Sequence, residues 1–150
     1  MIYLASDHRG FLRKEEVKKW LFLENAKYED VGNTTYNKDD DEVDFVKRGC
    51  QRMEADIAEG KGTRGIFFCG SGVMVDVAAN RFSQIRSCVA INTDQVRMAR
   101  NDDDVNVLCI AADFFGEQET LEMVQTFLGT TFSGEERYKR RLEKLKNLVS

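Results

Sequence analysis

The sequence contains no proline and only one histidine and one tryptophan among its 150 residues. Without proline, helix ends must be set by glycine and by polar capping residues. It also has no long basic run, and its net charge is -4, from 22 Lys and Arg against 26 Asp and Glu. Because surfaces that follow nucleic acid or an anionic membrane need clustered Lys and Arg, we expect neither partner.

Long hydrophobic runs are missing as well. No apolar stretch approaches the ~20 residues that cross a bilayer. The first ten residues, MIYLASDHRG, hold an apolar stretch too short for a secretory signal, with no basic segment before it, so we expect a cytoplasmic protein. The four cysteines, Cys50, Cys69, Cys88 and Cys109, lack C-x-x-C spacing, and we expect free thiols.

The chain instead has apolar runs of strand length that alternate with segments of helical spacing. The strand-like runs are MIYLAS, KYEDVGN, RGIFFCG, RSCVAI and DVNVLCIAA. The helix-like segments are FLRKEEVKKWLFL, residues 41–59, GVMVDVAANRF, DQVRMAR, EQETLEMVQTFLG and EERYKRRLEKLKNLVS. This alternation predicts one α/β domain over residues 1–150, a three-layer, Rossmann-like doubly wound fold with a five-stranded parallel sheet and a C-terminal helix.

In such a fold, ligands bind beyond the carboxyl ends of the strands. The segment CGSG, which follows the third strand, is the strongest candidate there. Its glycines let the backbone approach a ligand, and amides at a helix start favour an anion. A thiolate at Cys69 would be favoured by the same helix end and would suit proton abstraction next to a carbonyl. The alternative is a buried cysteine at a strand end.

Other polar residues admit two interpretations each. His8 lies in the polar turn after the first strand, where it is either a structural hydrogen-bonding group or a catalytic one. Arg137 and Arg141 share a helix face and would clamp a phosphate, unless neighbouring glutamates pair with them. The acidic clusters KDDDE and RNDDDVN lack the spacing of a calcium loop, so we expect helix caps and solvated loops rather than a metal site.

Six segments resemble, in order and spacing, the family of type B ribose-5-phosphate isomerases and galactose-6-phosphate isomerase subunits. They are SDHRG, DEVDF, GIFFCGSG, AAN, ARNDDDVNVL and FLGTTFSGEERYKRRLEKL. The resemblance covers essentially the whole chain. It implies an aldose–ketose isomerase that acts on a sugar phosphate through an enediolate, without metal or organic cofactor. It also implies a homodimer or a dimer of dimers whose active sites are shared between subunits.

The resemblance also implies roles for individual residues. Cys69 matches the general base that moves the proton between carbons 1 and 2. The other matched residues contact the substrate: Gly70, Ser71 and Gly72 at the developing oxyanion, Asp7, His8 and Asp41 at the sugar, and Arg137 and Arg141 at the phosphate.

Three departures from the family pattern are acidic. Asp102 stands where ribose-phosphate isomerases typically carry the histidine that opens the furanose ring, and Asp103 stands where they carry asparagine. Asp113 stands where the family often has a phosphate-binding arginine. A carboxylate is a poor proton donor at neutral pH unless it is desolvated, so the ring-opening step is the one most affected.

These departures leave four interpretations open. The first is an isomerase of ribose 5-phosphate and ribulose 5-phosphate in which Asp102 or water opens the ring. The second is an isomerase of a four-carbon sugar phosphate, which cannot close a furanose and needs no such acid. The third is a subunit of a hetero-oligomer of the galactose 6-phosphate type, with the histidine supplied by a different chain. The fourth is a non-catalytic protein that binds a sugar phosphate.

Overall fold

A computed structural model describes residues 1–148 of the chain; the last two residues of the segment predicted as the C-terminal helix lie outside the described residues. The five strands are β1 (Ile2–Ser6), β2 (Tyr28–Asp30), β3 (Arg64–Cys69), β4 (Ser87–Val89) and β5 (Val107–Ala111). The helices are α1 (Phe11–Leu23), α2 (Glu42–Ala58), α3 (Val73–Ala79), α4 (Thr93–Asp103), α5 (Glu117–Gly129) and α6 (Glu136–Lys146). The predicted α/β class, five-stranded sheet and C-terminal helix are confirmed.

All strand pairs are parallel, and the order across the sheet is β2-β1-β3-β5-β4. Helices α2 and α3 pack on one face of the sheet, and α1, α4 and α5 pack on the other. The central strands β3 and β5 are buried almost throughout, as their continuous apolar runs predict. The edge strand β4, within the strand-like run RSCVAI, has only three residues, all half-buried.

Helix α1 buries only some of its apolar residues and one charged residue with them. Its buried residues are Lys14, Val17 and Leu21, whereas Leu12 and Leu23 are 61% and 66% exposed. Lys14 is tolerated in the interior because its ammonium group lies 2.7 Å from a carboxylate oxygen of Asp30, on the neighbouring strand β2. The face of α1 that packs on the sheet therefore combines apolar contacts with a charge pair.

The parallel arrangement gives the sheet two chemically different edges. We call the edge where the strands end the carboxyl edge and the opposite one the amino edge. The chain leaves β1 and β3 toward different sides of the sheet, which makes the carboxyl edge between them a switch point of the kind where α/β proteins bind ligands. Helix α4 connects β4 to β5 and so runs from the carboxyl edge to the amino edge. Within residues 1–148, no helix is long and apolar enough to cross a membrane.

Candidate functional site

The strongest candidate for chemistry lies at the carboxyl edge, where β3 gives way to α3. Cys69 is the last residue of β3, is paired in register with Ala111 of β5, and is only 3% exposed. The backbone N–H of Gly72 donates a hydrogen bond to the Cys69 Sγ, at 3.2 Å. The thiol is therefore fixed in position by the turn that follows it.

Glycine is required at position 72 of this turn. Its φ is +73°, in the left-handed region that side chains rarely adopt. The side chain of Ser71, the preceding residue, is exposed and accepts a hydrogen bond from the Val73 N–H at 3.3 Å. The predicted Cys69, Gly70, Ser71 and Gly72 thus form one compact turn that leads into α3.

The remaining cysteines have a different character. Burial raises the pKa of Cys50 to about 12 and that of Cys88 to about 11, and it raises the pKa of the fully buried Cys109 well above its usual value. These three side chains are neutral thiols at physiological pH. All four cysteines are free, as the sequence predicts.

The loop after β1 brings Asp7 and His8 to the same edge. Asp7 is buried, and its Oδ1 accepts a hydrogen bond from the Gly10 N–H at 2.9 Å. Burial raises the pKa of Asp7, and the Gly10 hydrogen bond opposes that shift. His8 is held through two atoms, because its backbone N–H donates to the Asp40 Oδ1 at 2.8 Å and its Nδ1 lies 2.8 Å from the same oxygen.

Asp40 lies among the candidate site residues, although the sequence did not single it out. Its second carboxylate oxygen accepts a hydrogen bond from the Asn33 side chain at 2.9 Å, so both of its oxygens are engaged and the His8 ring is oriented. The predicted Asp41 follows directly, at the N-cap position of α2, with an exposed side chain that makes no capping hydrogen bond. The interpretation of KDDDE as helix caps and a solvated loop therefore missed the contact of Asp40 with His8. Nothing in the spacing of the segment distinguishes Asp40 from its neighbours.

Arg9 and Asp113 form a second unpredicted contact at the carboxyl edge. The Arg9 Nη2 donates to the Asp113 Oδ2 and so joins the loop after β1 to the loop after β5. Between these strands lies β3, whose turn passes beneath the pair. A sequence signal existed, since Arg9 directly follows the predicted Asp7 and His8, but the pairing across 104 positions has no local pattern.

The predicted acidic pair lies at the other edge of the sheet. Asp102 and Asp103 are the last two residues of α4. Asp103 and Arg141 line a groove of about 650 Å³ between α4, α6 and the start of β4. Although the Asp103 side chain is exposed, desolvation of its carboxylate and the charge of Asp102 raise its pKa, and Arg141 opposes the shift.

The two predicted arginines share one face of α6. The guanidinium carbons of Arg137 and Arg141 lie 4.8 Å and 5.6 Å from the ring centroid of Tyr138, which is 8% exposed. Stacking on an aromatic ring holds both cations in place. Arg137 also pairs with Glu135 at 3.0 Å, so the pairing that the sequence left as an alternative does occur for this arginine.

One chain does not bring the two groups of residues together. Cys69 ends β3 at the carboxyl edge, whereas Asp103 ends α4 at the amino edge, four residues before β5 begins. Gly65 of β3 pairs with Val107 at the start of β5, and the four steps from there to Cys69 span about 13 Å of extended strand. The predicted site residues therefore form two groups at opposite edges of the sheet.

Comparison with known proteins agrees with this architecture. Residues 2–145 match the family model described as Ribose/Galactose Isomerase. The "Probable ribose-5-phosphate isomerase B" of Mycoplasma pneumoniae is 34% identical over 139 residues, which cover 93% of this chain and 89% of that protein. The crystal structure of a ribose 5-phosphate isomerase from Thermotoga maritima matches with a TM-score of 0.86 at 33% identity, covering 98% of this chain and 97% of that one.

A further solved structure was determined with a ligand. Ribose-5-phosphate isomerase B from Mycoplasma genitalium, with bound ribulose-5-phosphate, matches with a TM-score of 0.89 at 29% identity, over 97% of this chain and 93% of that one. The chain belongs to the ribose/galactose isomerase family, and the family resemblance of its sequence segments is confirmed.

Proposed function

We propose that the protein is an aldose–ketose isomerase of a sugar phosphate, with ribose 5-phosphate and ribulose 5-phosphate as its substrate pair. The observation that carries this proposal is the Cys69 thiol, which ends a buried central strand and accepts a hydrogen bond from the Gly72 N–H at 3.2 Å. Support comes from the similarity of the whole chain to ribose-5-phosphate isomerases, one of them with ribulose-5-phosphate bound.

In the proposed reaction, the Cys69 thiolate removes the proton on carbon 2 of the open-chain aldose. The electron pair of that bond moves toward the carbonyl and gives an enediolate. The thiol then returns the proton to carbon 1, which yields the ketose, while a proton moves between the two substrate oxygens. Backbone amides of Gly70 and Ser71 stabilise the negative charge on oxygen at this stage.

The polar loops around the turn hold the sugar in this proposal. Asp7, His8 and Asp41 contact the hydroxyl groups, and Asp40 keeps His8 in the required orientation through the two 2.8 Å contacts of its Oδ1. The raised pKa of the buried Asp7 disfavours its charged form, so the side chain donates as well as accepts hydrogen bonds over a wider pH range than an exposed aspartate does.

We further propose that two copies of the chain complete each other's sites. A two-fold dimer would place the Asp103 and Arg141 half-site of one subunit against the Cys69 half-site of the other, twice. Helix α3, which begins at the Cys69 turn, exposes Val73, Met74 and Val77 by 53%, 47% and 45%. Apolar side chains exposed on one short helix support an interface at that position.

Ring opening is then assigned to the acidic pair of the partner subunit. Asp102 and Asp103 are adjacent carboxylates at the end of α4, and the pKa of Asp103 is raised in part by the charge of Asp102. In this proposal the pair donates the proton to the ring oxygen, with Asp102 at the position of the family's ring-opening histidine, while Arg137 and Arg141 bind the phosphate.

One observation favours a second candidate substrate. Asp102 occupies the position of the ring-opening histidine, and a four-carbon aldose with a terminal phosphate cannot form a furanose. We therefore propose an assay of isomerase activity on four-, five- and six-carbon aldose phosphates, with Cys69→Ala as the control variant. The primary proposal predicts the highest kcat/KM for ribose 5-phosphate. A far higher value for erythrose 4-phosphate would establish the second candidate, and no turnover of any of them would refute both.

A further inference from the structure

The ion pair between Arg9 and Asp113 lies directly on the catalytic turn. A Cβ atom built on Gly70 would lie 2.5 Å from both the Cζ and the Nε of Arg9, and 2.8 Å from the Asp113 Oδ2. The guanidinium group therefore packs against Gly70, the residue that follows Cys69. Through this contact the loops after β1, β3 and β5 meet at one point.

The direction of neighbouring side chains places Arg9 at the Cys69 turn, on the side opposite to the thiol. Cys69 packs with the residues of the α2 and α3 face, and side chains of consecutive strand residues point to opposite faces. Position 70, over which Arg9 lies, is therefore directed away from the thiol. A substrate whose reacting carbons are at Cys69, and which extends over the strand ends, reaches Arg9 with its other end.

An anionic substrate needs a positive charge near the Cys69 turn, because the neighbouring loops are acidic. Three carboxylates, Asp7, Asp40 and Asp113, lie in the loops at the carboxyl edge, whereas the proposed substrate is an anion. Two other basic side chains nearby have partners of their own. Arg13 donates to the Phe115 carbonyl at 3.0 Å and pairs with Glu16, and Lys14 is fully buried against Asp30.

Arg9, by contrast, is 58% exposed and contacts Asp113 through one of its three nitrogens. A guanidinium carries five N–H donors in a rigid plane, so one carboxylate contact leaves donors for a second anion. We propose that Arg9 is a substrate-binding residue that donates to the phosphate group of the sugar phosphate, with Asp113 orienting its guanidinium plane. This inference rests on the proposed function. In that site, Arg9 supplies a positive charge from the same subunit as Cys69, in addition to the arginines of the partner subunit.

The first test compares steady-state kinetics of Arg9→Gln and Arg9→Lys with the parent. Losing a hydrogen bond to a charged group corresponds to about a 10- to 100-fold change in affinity. We expect KM for ribose 5-phosphate to rise by about that factor in Arg9→Gln, with kcat reduced much less, and Arg9→Lys to recover part of the loss. Asp113→Asn keeps the cation, so its KM should rise less than that of Arg9→Gln.

A matched control is available in Arg52, whose ion pair with Glu29 has nearly the same exposure, 62% and 37%, as the 58% and 36% of Arg9 and Asp113. Arg52 lies in the carboxyl-terminal half of α2, away from the Cys69 turn. Arg52→Gln removes the same charge and should leave KM unchanged. Equal KM values in Arg9→Gln and the parent, or equal increases in Arg9→Gln and Arg52→Gln, would overturn the proposal.

The second test does not depend on turnover. Inorganic phosphate is titrated into the Cys69→Ala protein with and without Arg9→Gln, by calorimetry. We expect phosphate to bind the single variant and to bind the double variant about tenfold or more weakly. Equal binding by both would overturn the role of Arg9 even in an active isomerase. A loss of binding in the double variant, in a protein that turns over no sugar phosphate, would support Arg9 and refute only the proposed reaction.

Discussion

Replacing Gly72 with alanine adds one methyl group to a residue whose φ is +73°. The left-handed backbone alone costs about 1–2 kcal/mol for a residue with a side chain. The new Cβ would also lie 3.1 Å from the Ala111 N and 3.1 Å from the Val89 Cγ1. Crowding of a packed interior costs about 1–3 kcal/mol more. We therefore expect the free energy of unfolding to fall by about 2–5 kcal/mol.

The same substitution should affect catalysis, because the turn must shift to accept the methyl group and the Gly72 N–H then moves from the Cys69 Sγ. Loss of a hydrogen bond to a charged group predicts a fall in kcat of about 10- to 100-fold. Urea unfolding and steady-state kinetics on ribose 5-phosphate measure the two effects separately.

Gly60 provides the matched control. Its φ is +72°, and a Cβ there would have no neighbour within 4 Å. Gly60→Ala should therefore cost only the backbone term of about 1–2 kcal/mol and leave kcat unchanged. If the two variants lose equal stability and both keep the parent's kcat, the reasoning about contacts and about the Gly72 hydrogen bond is wrong.

Three further predictions concern single side chains. Cys69→Ala should lower kcat by about 10²- to 10⁴-fold, the usual contribution of a general base. The variant should still bind ribulose 5-phosphate in calorimetry. The control is Cys88→Ala, which removes a thiol whose pKa is about 11 and should keep the parent's kcat. Asp40→Asn weakens the hold on His8 and should lower kcat/KM about tenfold with little change in thermal midpoint. Asp7→Asn should remove the part of the free energy of unfolding that the parent loses as pH rises through the pKa of Asp7 in the folded protein.

The sign for Asp7 follows from its raised pKa. The folded protein keeps the Asp7 proton to higher pH than the unfolded chain, so this group's contribution to stability is largest below its usual pKa and declines as pH rises through the folded value. The stability of the parent relative to Asp7→Asn should therefore fall with rising pH across that window. If the stability of the parent relative to Asp7→Asn instead rises with pH, this prediction is wrong. The predictions for Asp40→Asn and Cys69→Ala are wrong if either variant shows the kinetics of the parent.

The strand pattern and the turn after Cys69 could be predicted from the sequence because both have local signals. GIFFCGSG combines a continuous apolar run with glycines before a helix, and each part has a physical meaning of its own. Lys14 shows where local signals fail. Residue type alone would place Lys14 at the surface of α1, but its ion pair with Asp30 at 2.7 Å lets it lie in the interior, while Leu12 and Leu23 are exposed.

Side-chain pairs between loops were the other part that sequence could not supply. Asp40 meets His8 across 32 positions, and Asp113 meets Arg9 across 104. Asp40 is one of three consecutive aspartates, so residue type does not distinguish it from its neighbours. Asp113 does stand out from its apolar neighbours, but nothing in the local sequence indicates that Arg9 is its partner. Such contacts depend on which loops the sheet order brings together, and that order is fixed by tertiary packing rather than by any local segment.

The measurement that most directly tests the central proposal is complementation between two inactive variants. Cys69→Ala and Arg141→Ala are each inactive at low substrate in this account, because each lacks one half-site. Subunits mixed by unfolding and refolding together would form mixed dimers in half of all cases, and each mixed dimer would hold one intact site out of two. The account predicts recovery of about one quarter of the parent's activity. Mixtures that stay as inactive as the separate variants would contradict a site shared between subunits.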